Sequence, residues 1–363
     1  MSRTPLLHLQ SAACGRSSPG TVQAVVDHLA LEVTEGSYVA ENLVADSLER
    51  LRADLGDLLG IEADGVALTG GATAALLTLL ATWPLPEGAE VGVVPGEWAP
   101  NVDAFTHHGL RPRALAVDGD GVLDLDALAR TLRADPPGLV HVTHLASHRS
   151  LVQPVAEALA LCRAAGVPLW VDVAQSLGHL DTAVGADASY APARKWLKGT
   201  RGVGVLAVAP PWRDRLHPFR PAQRAHLPPV RLLEPEESPV AARVGFAHAV
   251  REHLTAGPRR VRSGLAERGR VARDLLGAVP GWGVADPPGA TGALVSLRPT
   301  AGQDVATVRE RLLGEHRILA TACLPWRAPG DMSGPLLRFA PHLEVTDADL
   351  DRTASALRGV NHS

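Results

Sequence analysis

Lysine is almost missing from this 363-residue chain: there are two, Lys195 and Lys198, against thirty-three arginines. Both lie in Arg194-Lys195-Trp196-Leu197-Lys198. A permanently charged guanidinium cannot condense with an aldehyde, whereas an amine of lowered pKa can. Lysine kept at one place therefore points to amine chemistry there, with chance clustering as the alternative. Cysteine is scarce too. Cys14, Cys162 and Cys323 are scattered, which gives neither a disulfide framework nor metal-ligand spacing, and no metal is expected. No apolar run approaches the roughly 20 residues needed to cross a bilayer. Ser11-Ala12-Ala13-Cys14 is faintly like a lipoprotein cleavage site, but the apolar stretch before it is too short and interrupted for a signal peptide, so a cytoplasmic location is expected. A large excess of one charge is also absent. The net charge of −4 excludes a general attraction to nucleic acid or to an anionic membrane.

What is present is core material: 46% of residues are hydrophobic and 20% charged. A chain of this length implies two domains or one large α/β unit. From Gly65, short apolar runs alternate with helical stretches. Strands are predicted at Val66–Thr69, Val91–Val94, Ala114–Val117, Leu139–Val142, Leu169–Asp172 and Val203–Val208. Helices are predicted at Ala72–Trp83, Asn101–His108, Leu125–Leu132 and Val155–Ala165. Apolar strands joined by crossover helices make a mostly parallel sheet buried on both faces, with ligands beyond the strands' carboxyl ends. A proline- and arginine-rich stretch from Pro210 to Pro239 reads as the way out of that sheet. Beyond it, helices (240–254, 259–279, 305–314 and from Asp347) and strands (293–297, 336–340) suggest a smaller α+β unit. The expected division is an N-terminal segment 1–20, a large domain 21–240 and a small domain 241–363.

Three features carry chemistry. Asp172 and Gln175 end a buried strand in Val171-Asp172-Val173-Ala174-Gln175. A carboxylate there needs a cation, and a protonated pyridine nitrogen is one that turns its ring into an electron sink; helix capping is the other reading. Gly70-Gly71-Ala72-Thr73 follows a strand and opens a helix, a place where backbone amides and a hydroxyl can hold an anion. It fits neither the Walker A loop nor the dinucleotide fingerprint. Lys195 is the third.

In this order the three features resemble the fold-type I, pyridoxal-phosphate-dependent enzymes of the class V aminotransferase and cysteine desulfurase superfamily, over about Leu9 to Leu357. The resemblance implies a mostly parallel seven-stranded sheet sandwiched by helices, with a smaller C-terminal α+β domain. It implies that Lys195 carries the cofactor as an imine, that Asp172 pairs with the pyridine nitrogen and that Gln175 meets the ring hydroxyl. Ala72 and Thr73 match the phosphate loop, Trp98 the residue stacked on the ring, and Arg338 the arginine that grips a substrate α-carboxylate. Within the superfamily the sequence is most similar to the carbon–sulfur lyases of ergothioneine biosynthesis. Gly36-Ser37-Tyr38-Val39-Ala40, Ala146-Ser147-His148-Arg149, Val152-Gln153-Pro154 and the run from Ala174 to Asp181 carry that likeness. It implies β-elimination from hercynylcysteine sulfoxide, with ergothioneine, pyruvate and ammonia as eventual products. Tyr38 then becomes a candidate for the trimethylammonium group, as does Trp326, and His148 and Arg149 for a carboxylate or the sulfoxide oxygen.

The sequence departs from the superfamily pattern in four places. Arg194 replaces the usual histidine before the lysine, still able to bind phosphate; Pro192 replaces a serine phosphate donor. Ser147 stands for the asparagine at the ring hydroxyl, and Ser150 for a glycine, which puts the local loop path in question. Ser238 aligns with a hydroxyl residue lent to the neighbouring subunit's phosphate, which implies a homodimer with shared sites. Two motifs are decoys: the aspartates from Asp118 to Asp126 lack the glycine and glutamate of a calcium loop, and the arginines from Arg259 to Arg273 read as a solvated helix face. A cysteine desulfurase using Cys323 as thiolate, an epimerase or aminotransferase on the same fold, and a non-catalytic relative stay open as alternatives.

Overall fold

The computed structural model describes residues 5–360. After a short strand β1 (Leu7–His8), the chain forms two long helices, α1 (Pro19–Glu35) and α2 (Ser37–Leu59). Ser18 caps α1 by accepting the Thr21 amide at 2.9 Å, with Pro19 at the first helical position, and Gly36 breaks the two helices at φ 85°. Neither helix is expected from the apolar pattern. The reason is visible in α1, which buries only Thr21 and His28 and leaves Val22, Val26, Leu29 and Val33 exposed.

Alternation then sets in: β2 (Val66–Thr69), α3 (Ala72–Thr82), β3 (Glu90–Val93), α4 (Ala99–His107), β4 (Arg111–Ala114), α5 (Leu125–Ala134), β5 (Leu139–Thr143), α6 (Val155–Ala164), β6 (Leu169–Asp172), β7 (Ala188–Pro192) and β8 (Gly204–Val208). They form a seven-stranded sheet in the order β2-β8-β7-β6-β5-β3-β4, in which β8 alone runs against its neighbours. Successive residues face opposite sides. Leu68, Val140, Val171 and Val205 enter one core layer, while Ala67, Leu139, Trp170 and Leu206 enter the other. Two strands differ from expectation. β4 lies at 111–114 instead of 114–117, because an edge strand tolerates Arg111-Pro112-Arg113 facing water and the apolar Leu115 beyond it is what packs inward. β7, which reads as Ala-Ser-Tyr-Ala-Pro, lacks β-branched residues and is strand by virtue of complete burial.

The proline-rich stretch holds a single helical turn, α7 (Pro210–Arg213), and 3-10 turns up to Leu233. Glu234 then ties it back to the sheet. Its carboxylate accepts from Arg52 Nε at 2.8 Å, Arg243 Nη1 at 3.2 Å and the Leu68 amide at 3.1 Å. Next come α8 (Val240–Ala256), α9 (Pro258–Gly277), β9 (Trp282–Val284), β10 (Val295–Pro299), α10 (Val305–His316), β11 (Ile318–Leu319), β12 (Thr321–Cys323), β13 (Leu336–Phe339) and α11 (Asp347–Val360). An antiparallel sheet, β12-β13-β10-β9, packs with α9, α10 and α11 around a second core. Phe246, Ala247 and Val250 of α8 join the large core, whereas Ala272 and Leu276 of α9 join the small one. β1 pairs in parallel with β11, so the start of the chain is stitched to its C-terminal part.

Candidate active site

Loops from the carboxyl ends of β2, β3, β5, β6 and β7 converge on one cavity of about 370 Å³, where an open α/β sheet gathers its ligands. Its walls include Ala72, Thr73, Trp98, Ser147, Asp172, Gln175, Arg194, Lys195 and Arg338. Nine side chains singled out by sequence are thus neighbours, across 266 positions of chain from Ala72 to Arg338. The strap 11–15 closes one side. Gly15 donates its amide to the Arg194 carbonyl at 2.7 Å, and a Cβ at Gly15 would stand 2.4 Å from the Lys195 carbonyl oxygen. Only glycine lets the strap lie this close to the lysine.

Lys195 is fully buried, and burial lowers its pKa to about 7; Asp172 opposes that shift, while Arg194, Arg338 and Arg327 add to it. Its amine is therefore present in neutral, nucleophilic form near pH 7. Asp172, also buried, is pushed upward by loss of water and pulled back by Lys195. Its oxygens accept from the Ala174 amide at 2.7 Å and from Asn101 Nδ2 at 3.0 Å. Behind Asn101 lies a buried polar chain. Asn101 Nδ2 also donates to Glu97 Oε1 at 2.9 Å, which takes the Thr143 hydroxyl at 2.5 Å. His141 Nδ1 is 3.0 Å from Glu97 Oε2, and its Nε2 is 2.8 Å from the Tyr190 hydroxyl. Burial pushes Glu97 up, but His141, Thr143 and Asn101 outweigh it and hold the carboxyl below its usual range.

Arg338 is 1% exposed and lowered in pKa by burial. It donates to the Ser147 carbonyl and, at 3.4 Å, to Thr321 Oγ1, while its Nε has no partner. A buried guanidinium with no carboxylate among the described residues is a seat for an incoming one. At the other end, Gly71 sits at φ 136° before α3, whose first turn has no side-chain cap, so its amide groups are left for an anion.

These features fit pyridoxal phosphate: a neutral buried amine, a buried carboxylate with no cation but that amine, an uncapped helix start with Thr73, and the orphaned Ser147 hydroxyl. Gln175 lines the cavity with both ends engaged, to the Ala12 carbonyl and the Trp196 indole. Arg194 donates to the Ala13 carbonyl. Ser150, in a glycine's place, is outside the left-handed region, so the loop path carries no backbone strain there.

Four expected residues lie elsewhere. His148 and Arg149 are on the loop after β5 but engage Asp331, and line a separate cavity of about 380 Å³. Tyr38 is 82% exposed at the start of α2, and Ser238 is half-buried ahead of α8. Cys323 is buried in β12, without the mobility a sulfur-accepting thiolate needs. Sequence reasoning missed Asn101, Thr143 and Arg327, which also line the main cavity. Asn101 stands three residues after Trp98 in the first turn of α4, a spacing that aims both at one place.

The comparisons with known proteins agree with this geometry. Residues 8–225 match the family model "Aminotransferase class-V". A Mycobacterium tuberculosis protein named "Probable hercynylcysteine sulfoxide lyase" is 43% identical over 97% of this chain and 89% of its own length. An isopenicillin N epimerase of Streptomyces clavuligerus is 27% identical over 85% of this chain and 83% of its own. A solved cysteine desulfurase from Thermococcus onnurineus superposes with a TM-score of 0.86 over 98% of this chain and 94% of its own, at 18% identity, which speaks to the fold alone. The chain belongs to the aminotransferase class-V family and is a pyridoxal-phosphate-dependent enzyme.

Proposed function

We propose that the enzyme is a carbon–sulfur lyase that cleaves a cysteine S-conjugate sulfoxide, hercynylcysteine sulfoxide, by β-elimination. The observation that carries this is the near-neutral Lys195 amine buried in one cavity with Asp172 and the unpaired Arg338, in a chain 43% identical to a relative of that name. Lys195 would hold the cofactor aldehyde, Asp172 its ring nitrogen, Trp98 its ring face, Ser147 and Gln175 its hydroxyl side, and Ala72, Thr73 and Arg194 its phosphate. When bound, pyridoxal phosphate supplies an electron sink for charge at the substrate Cα. Arg338 grips the α-carboxylate through its free edge and so fixes which Cα bond faces Lys195. The Lys195 amine, whose neutral form is well populated near pH 7, takes the Cα proton as general base. Asp172 stays anionic opposite the ring nitrogen, steadied by Asn101 and the Ala174 amide. Sulfur departs as a sulfenic acid, and the three-carbon fragment hydrolyses to pyruvate and ammonia. Two equivalents of an external thiol then reduce the sulfenic acid to ergothioneine, and leave as their disulfide with one water released.

Purified holoenzyme given hercynylcysteine sulfoxide is expected to release pyruvate, and given cysteine to release little sulfide. Sulfide from cysteine without pyruvate from the sulfoxide would instead make the chain a desulfurase. The buried Cys323 favours the lyase.

We also propose that two copies work together in the cytoplasm. Val22, Val26, Leu29 and Val33 of α1 with Tyr38 and Leu43 of α2 leave an apolar face exposed, of a kind that a partner covers. Tyr38 and Ser238 would then serve the neighbouring copy's site, which explains why neither reaches its own. No helix among the described residues is long and apolar enough to cross a membrane. Sedimentation at twice the chain mass is the expected result.

A further inference from the structure

The main cavity carries more positive charge than the reading above uses. Arg194, Lys195, Arg327 and Arg338 line it, against the single carboxylate of Asp172. Arg194 and the start of α3 account for a phosphate, and Arg338 for an α-carboxylate. Arg327 is left over.

Its surroundings are specific. Arg327 ends a 3-10 turn, Pro325–Arg327, between β12 and β13. Its guanidinium lies 5.1 Å from the ring centre of Trp98 and 5.4 Å from that of Trp326, whose rings are 5.5 Å apart and tilted by 57°. No acidic residue among those described pairs with it, and its Nε is buried with no hydrogen-bond partner. Aromatic faces hold a guanidinium in place through its π-system, yet they satisfy none of its in-plane N–H donors. An arginine fixed by its faces and unsatisfied at its edge is arranged to receive a planar anion. It stands against Trp98, the residue that caps α4, whereas the phosphate cradle opens α3. The exposed Trp326, at 54%, extends the same wall outward.

We propose that Arg327, set between Trp98 and Trp326, forms a second carboxylate subsite, so that the enzyme selects cysteine S-conjugates whose distal half carries its own carboxylate. This rests on the lyase reading for its reaction and adds the substrate class. One substrate then spans the two unpaired arginines: Arg338 takes the α-carboxylate beside the bond to be broken, and Arg327 takes the far one. The indole of Trp326 faces whatever flanks the far carboxylate, and suits a cationic or flat neighbour.

The test compares hercynylcysteine sulfoxide with its analogue in which the distal carboxylate is a primary amide, on the wild-type and Arg327→Gln holoenzymes. Two quantities are read: kcat/KM for pyruvate release, and Kd for the unreactive thioether forms from quenching of tryptophan fluorescence. In the wild type the acid is expected to bind and react roughly ten- to a hundredfold better than the amide, the range for a charge-assisted hydrogen-bonded pair. In Arg327→Gln the acid falls toward the amide and the preference disappears. Equal handling of acid and amide by the wild type overturns the proposal, as does an equal fall for both in the variant. If the wild type ignores hercynylcysteine sulfoxide yet prefers the acid over the amide in S-carboxyethylcysteine sulfoxide, the function reading fails and the subsite stands.

Discussion

Asn101 divides one amide nitrogen between two buried carboxylates: Nδ2 is 3.0 Å from Asp172 Oδ2 and 2.9 Å from Glu97 Oε1. Two acids this close in a dry interior would repel if nothing lay between them. The amide separates them with one N–H apiece, and His141, Thr143 and the backbone complete the satisfaction of Glu97. The Asn101 amide thus works against burial and the Glu97 charge, which on balance raise the Asp172 carboxyl, and it holds that carboxyl in the cavity wall.

It follows that Asn101→Leu, similar in branching though larger, strips one of the two donors from Asp172 and also exposes it to Glu97. A lost hydrogen bond to a buried charge is worth about 1.5–3 kcal/mol, so kcat is expected to fall roughly ten- to a hundredfold. The cofactor should also dialyse away faster than from the wild type. Unaltered kcat and unaltered retention would show that Asp172 needs no help from Asn101.

Lys195 gives a pH prediction for the cofactor-free protein. Burial holds its amine near a pKa of about 7, so the neutral form that attacks an aldehyde is minor below that value and dominant above it. Uptake of pyridoxal phosphate should therefore quicken from pH 6 to 8 with a midpoint near 7, and level off by pH 9. An ordinary lysine would still be gaining rate at pH 10. Lys195→Ala is expected to abolish borohydride-stable attachment and turnover, checked by mass spectrometry of the peptide.

Much of this site was legible because its chemistry sits on short motifs beside buried strands. Asp172 follows three apolar strand residues, Lys195 is a rare residue type, and Gly70-Gly71 interrupts a strand–helix junction. What sequence did not disclose was contact made across the chain. Arg327 matters only because the turn 325–327 folds onto Trp98, more than two hundred residues away. His148 and Arg149 sit where ligands gather, yet Asp331 occupies them. α1 escaped notice for a different reason: its apolar residues mostly face outward, so the inward period of a core helix is missing.

Glu234 links stability to the phosphate cradle. It binds Arg52 of α2, Arg243 of α8 and the Leu68 amide in β2, one residue before the strand ends at Thr69. Burial pushes its carboxyl up, but the Arg52 bonds and the Arg243 charge hold it below the usual range. Its stabilisation is thus complete above the unfolded value, and is lost as pH falls through the lower folded one. Glu234→Ala leaves the buried Arg243 guanidinium without its anion and Arg52 with only the exposed Glu49, which costs about 3–5 kcal/mol. A lower urea midpoint with unchanged slope is the expected result; a shift under 1 kcal/mol would mean that water replaces the carboxylate.

Asp331 offers the same logic with a functional readout. His148 Nε2 meets its Oδ2 at 2.5 Å, and Arg149 grips it through Nε at 2.7 Å and Nη2 at 2.6 Å. Burial raises the carboxyl, but the bonds from His148 and Arg149 win and take it down to about 2. The contact pins the segment between β12 and β13, which also carries Arg327, onto the loop after β5. Because the folded value lies below the ordinary 3.8, this fastening is fully present above about pH 4 and fades as pH drops toward 2. Asp331→Asn keeps the size and removes the charge, so it should cost about 1–3 kcal/mol. It should raise KM several-fold while leaving kcat within about twofold, since the fastening lines a cavity separate from the one that holds Lys195 and Asp172. A fall in kcat with KM unmoved would instead place this triad in the service of the reacting atoms.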